Sequence, residues 1–212
     1  MLRSIIRRMC IIALSFAASL AIAQTEFSAD GVNNKKAGSP VEMKLYFSKD
    51  KMRFEPVEQQ KQDQGIGIVN FAAQTTTILM PQRHMYMELP AQTAEQRLMY
   101  NFFRTGDVEN ACGDWQKIVR NQGGTCHKVG HESVNGRDAV KYEGTNSKGD
   151  TGYFWIDSQL RFPVKWTSTK DPNNGGELRN IKEGPQPASL FEIPAGYQKF
   201  DMGAMMQQRM QR

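Results

Sequence analysis

The chain has 212 residues, with 27 Lys and Arg against 22 Asp and Glu and a formal net charge of +5. No stripe of basic residues stands out along it, so the electrostatic footprint of a nucleic-acid-binding domain is missing and nucleic acid is not an expected partner.

Arg3, Arg7 and Arg8 precede an apolar run from Met9 to Ile22. Ala21-Ile22-Ala23 is a small-x-small cleavage pattern, so residues 1–23 are predicted to be a cleaved export signal, cut between Ala23 and Gln24. The apolar run is shorter than the ~20 residues of a spanning helix. Its removal takes away three arginines and no acid, leaving the mature chain close to neutral. Residues 24–200 suit one domain with a substantial core. Residues 201–212, rich in Met, Gln and Arg, are expected to be a disordered tail. The expected location is the periplasm or the medium, with no transmembrane segment in the mature chain.

In chain order, Glu26 to Val32 is the first predicted strand. Met43, Leu45 and Phe47 alternate with polar neighbours. After the turn at Ser48-Lys49-Asp50, Met52 and Phe54 do the same, which reads as a hairpin with one apolar face. Ile66 to Phe71, Thr75 to Leu79 and His84 to Leu89 read as further strands, and Met85, Met87 and Leu89 share a face in the last. The period then changes. Thr93 and Gln96 match a capping box ahead of the stripe Leu98, Met99, Phe102 and Phe103. Asp107 can cap a second helix, in which Val108, Ala111, Cys112, Trp115, Ile118 and Val119 are spaced as one face. Gly123-Gly124 ends it.

Lys128 to Val134 and Arg137 to Glu143 flank Asn135-Gly136, a strong two-residue hairpin signal. Thr151 to Ile156, Phe162 to Thr167 and Glu177 to Lys182 complete the strand pattern. Leu190 and Phe191 are expected to dock on the core. The fold class predicted is α+β: a curved antiparallel sheet or unclosed barrel with a two-helix insertion packed against it.

Catalytic signatures are missing or broken. There is no Gly-x-Ser-x-Gly elbow. Gly65-Ile66-Gly67 starts a dinucleotide-like pattern, but Asn70 stands at the third glycine position. His131-Glu132-Ser133-Val134-Asn135 imitates a metalloprotease motif without its second histidine. Cys112 and Cys126 are read as a disulfide in an oxidising compartment. A zinc site with His127 and His131 is the alternative, and ligand spacing disfavours it. No enzyme activity, cofactor or metal is expected.

Apolar surface is the informative feature. Four methionines, Met202, Met205, Met206 and Met210, lie in the tail. Met43, Leu45, Phe47, Met52, Phe54, Met85 and Met87, with Trp155 or Phe154 and Trp166, are candidates to line one apolar cavity, Trp155 being preferred of the two. Methionine suits surfaces that accommodate varied apolar shapes. An ordinary filled core is the competing reading, since core and cavity linings look alike in sequence.

The signal peptide leads into Phe27-Ser28-Ala29-Asp30, then the run Lys44 to Glu55 (KLYFSKDKMRFE), and the chain closes on Ala188 to Tyr197 (ASLFEIPAGY). This resembles the bacterial envelope proteins of the lipoprotein-carrier type, LolA, LolB and RseB-like, and more closely an uncharacterised exported branch of them. The resemblance implies an unclosed antiparallel barrel over helices with an apolar cavity between. It implies a non-catalytic periplasmic binding protein for an acyl chain, lipid or lipoprotein-like ligand. An envelope protein partner, in a stress-sensing or interaction module, is the second reading. Arg53 is the position nearest to a carrier arginine. The Cys112–Cys126 pair and the Met-rich tail depart from the carriers.

Overall fold

The computed structural model describes residues 24–33, 41–57, 65–93, 96, 97, 100, 103, 105–119, 123–146, 148–171 and 173–200, apart from the side chains of residues 41, 114 and 117–119. The predicted signal peptide, the predicted tail and three positions of the first helical stripe, Leu98, Met99 and Phe102, lie outside them. Among the described residues no helix is long and apolar enough to cross a membrane.

Among the described residues, twelve strands form one sheet. They are β1 (Phe27–Asn33), β2 (Val41–Ser48), β3 (Lys51–Pro56), β4 (Ile66–Asn70), β5 (Thr75–Met80), β6 (Met85–Pro90), β7 (Thr125–Val134), β8 (Arg137–Thr145), β9 (Thr151–Asp157), β10 (Pro163–Ser168), β11 (Gly175–Glu183) and β12 (Gln198–Lys199). Helix α1 spans Ala111–Val119. The spatial order is β12-β6-β5-β4-β3-β2-β1-β11-β10-β9-β8-β7. Two antiparallel meanders, β1–β6 and β7–β11, are thus sewn together where the first strand pairs with β11. β12, which the sequence pattern does not signal, pairs in parallel with the edge strand β6. The outermost strands, β12 and β7, are not paired with each other, so the sheet is curved and unclosed.

Turn chemistry matches the hairpins. Asn135 (φ 52°) and Gly136 (φ 80°) both take positive φ, as a type I′ turn between β7 and β8 requires.

The segment between β6 and β7 must pass from one end of the sheet to the other, so it lies across one face. Gln96 N–H donates to Thr93 Oγ1 (3.2 Å) and Thr93 N–H to Gln96 Oε1 (3.2 Å), which is the capping box read from the sequence. Residues 96, 97 and 100 are helical. Asp107, expected to cap the second helix, instead makes a turn ahead of it: its Oδ1 accepts from Glu109 N–H (2.9 Å) and its carbonyl from Asn110 N–H (3.2 Å). A short acidic side chain serves such a turn as well as a cap, and the helix starts at Ala111. Cys112 and Cys126 form a disulfide that ties α1 to β7, so their sulfurs are not zinc ligands. His131 sits on β7 against Asp138 (3.3 Å) and Glu109 (3.2 Å).

Phe103 of the linker packs with Phe27, Phe47, Phe71 and Phe162 in a cluster of stacked, tilted and edge-to-face rings whose neighbouring centroids are 5.2–6.2 Å apart. The opposite face of β2–β6 is covered by the C-terminal segment, where Leu190, Phe191 and Tyr197 pack on Ile68, Leu79 and Tyr86. Arg53 lies on this covered side. Its guanidinium donates to the Leu190 carbonyl (2.8 Å) and to Glu55 (2.8 Å), so here it holds the C-terminal segment in place.

Candidate functional site

Directly opposed residues of neighbouring strands share a face. The register aligns Phe27, Phe47, Met52, Val69, Thr76 and Leu89 across β1–β6 in one row. The next row holds Ala29, Leu45, Phe54, Gly67, Ile78 and Met87. Gly31 and Met43 lie beyond, where β11 adds Leu178. The same face continues through Gly176, Trp166, Phe154 and Tyr142. Tyr100 and Phe103 of the linker pack on it from above.

Between the linker and the sheet lies a groove of about 440 Å³. Met43, Leu45, Met52 and Phe54 form one wall, Phe162, Pro163, Trp166 and Leu178 the other, and Phe103 bounds it. That volume is within the range of small-molecule sites. Three glycines shape it by letting a large side chain lie flat on the neighbouring strand. A Cβ on Gly31 would come 2.5 Å from Met43 Cγ, one on Gly176 2.6 Å from Trp166 Cη2, and one on Gly67 would run into the Phe54 ring. Real Cβ atoms do not approach so closely, so these positions exclude every other side chain without repacking.

Of the residues the sequence singles out, Met43, Leu45, Met52, Phe54 and Trp166 line the groove. Phe47 is fully buried beneath it. Met85 and Met87 share its face on β6 but do not reach it. Trp155 faces the other way. It opposes Lys141 and Lys165, whereas its neighbour Phe154 opposes Tyr142 and Trp166. The Nζ atoms of Lys141 and Lys165 sit 5.0 and 4.9 Å from the Trp155 ring centroid, and its Nε1 donates to Glu132 (2.8 Å). The Lys141 and Trp155 hydrogen bonds together hold the Glu132 carboxyl below its usual range.

Gly31, Val32, Asn33, Glu42, Phe103, Phe162, Pro163 and Leu178 also line the groove, and sequence reasoning did not select them. The glycines carried the available signal, since a glycine inside a strand marks a close approach. The wall is almost wholly apolar, with Glu42 as its one charged residue among those described. The Val57 N–H fixes the Glu42 backbone by donating to its carbonyl (3.1 Å).

No protein-family model matches the chain, and no curated protein matches it in sequence. Solved structures do match in shape. An uncharacterized conserved protein from Thermus thermophilus superposes with a TM-score of 0.51 at 11% identity, over 84% of this chain and 90% of that one. The fold they share is a curved, unclosed antiparallel sheet. PNGF-II gives a TM-score of 0.48 at 12% identity over 88% of this chain, and MucB 0.39 at 13% over 82%. This chain spans 33% of PNGF-II and 59% of MucB. At such identities the likeness concerns the fold alone. In this fold the linker over the open sheet leaves an apolar groove.

Proposed function

We propose that the protein is exported and binds an apolar chain, such as an acyl chain, in the groove between the linker and the sheet, without chemical conversion. The observation that carries this reading is the groove itself: about 440 Å³ walled by Met43, Met52, Phe54, Phe162, Trp166 and Leu178. Burying about ten methylenes contributes roughly 8 kcal/mol before association costs, at about 0.8 kcal/mol each. Trp166 is 46% exposed, an exposure for a large aromatic that a ligand would reduce. The Cys112–Cys126 disulfide and the N-terminal pattern of residues 1–23 support an oxidising compartment.

Purified protein covering residues 24–212 should carry chain-bearing molecules that appear by mass spectrometry of an organic extract. It should also bind a neutral apolar dye such as phenylnaphthylamine, with Trp166→Ala weakening the binding. A protein that is empty after extraction and leaves the dye in water would sink the proposal.

A further inference from the structure

Resting on the groove reading, we infer that the preferred occupant is an amphiphile with an ammonium head on a single alkyl chain, rather than a fatty-acid anion. Hydrogen-bond acceptors mark one end of the groove. Val32 of β1 pairs with Val41 of β2; Asn33 and Glu42 stand on opposite sides of that pair, Glu42 as the extra residue where the β1–β2 register shifts. Both line the groove. Glu42 is its one charged residue among those described, and no described lysine, arginine or histidine lines it. The Asn33 Oδ1 atom is buried with no hydrogen-bond partner among the described residues.

A carboxylate beside apolar walls attracts a cation more strongly than it would in bulk water, because the low-dielectric surroundings screen it poorly. It repels a second carboxylate for the same reason. An ammonium head brings three donors and no acceptor. It can ion-pair with Glu42 and offer a hydrogen to the Asn33 acceptor, while its tail lies along Phe54 and Trp166. A fatty-acid head offers neither at neutral pH.

The test uses dodecylamine, dodecanol and dodecanoate, each below its micelle concentration, on the protein covering residues 24–212. Tryptophan emission is followed, with Trp166→Phe as the control that the signal arises in the groove. The expected result is binding in the order amine, alcohol, acid, with amine and acid at least about tenfold apart in Kd, the worth of one charge contact. Glu42→Gln should erase most of the difference between amine and acid. Dodecanoate binding as tightly as dodecylamine, or a preference that survives in Glu42→Gln, overturns the head-group inference and leaves the groove reading standing. If none of the three binds and phenylnaphthylamine also stays in water, the groove reading itself falls.

Discussion

Phe54 on β3 lies flat over Gly67 on β4, the residue directly opposite it in the register. An aromatic ring across a strand glycine fills the space that the missing side chain leaves. It also keeps the ring low enough for the groove to stay open above it.

Replacing Gly67 by Ala forces the Phe54 ring out of that position. Overpacking of this kind costs about 1–3 kcal/mol. Thermal unfolding of Gly67→Ala should show a lowered Tm together with weaker dye binding, because the displaced ring enters the groove. An unchanged Tm would mean that the ring has room to spare.

The two tryptophans on opposite faces should separate stability from binding. Trp155 is 4% exposed and held by two lysines and Glu132, so Trp155→Ala should cost about 3–5 kcal/mol in denaturant titration before any effect on the ligand is read. Trp166→Ala should change stability much less and weaken dye binding several-fold.

The disulfide joins residues 14 positions apart. A closed loop of about 15 residues stabilises by roughly 3 kcal/mol in the chain-entropy model. Cys112→Ala with Cys126→Ala should lower the denaturation midpoint accordingly, most visibly when Trp115 and Phe154, whose centroids are 6.0 Å apart, report the loosening of α1. Thiol titration of residues 24–212 under denaturing, non-reducing conditions should find no free cysteine.

Asp30 supplies a pH prediction. The hydrogen bond from Asn180 (2.7 Å), then that from Lys44, holds its carboxyl below the usual carboxylate range. A depressed folded-state pKa adds stability that is present above the unfolded value of about 3.9 and is lost as pH falls through the folded value. Asp30→Asn should therefore be less stable than the parent at pH 7, by about 1–2 kcal/mol. The gap should close as the pH falls below about 4. A gap that persists at pH 2 would point to packing rather than charge.

Much of the architecture is legible in the residue order because a strand's side chains alternate. Met43, Leu45 and Phe47 could only share a face, and Asn135-Gly136 could only turn one way cheaply. Thr93 and Gln96 cap a helix through contacts three residues apart, which any sequence window contains. β12 was illegible, since two residues in parallel pairing leave no period to detect. The Trp155 side was illegible too: Tyr153, Phe154, Trp155 and Ile156 are apolar at every position, so alternation cannot say which of them faces in.

The sequence by itself determined most of the strands and turns, the shared apolar faces of β2 and β3, and the cysteine pair, because each depends on neighbours a few residues apart or on a pair without rivals among residues 24–212. Only the tertiary structure decided that β1 pairs with β11, which brings Leu178 and Trp166 opposite Met43 and Phe54. It also decided that the linker crosses the sheet at Phe103. The groove exists where these distant segments meet. Its shape follows from flat packing over Gly31, Gly67 and Gly176, a property of strand pairs and not of any one strand.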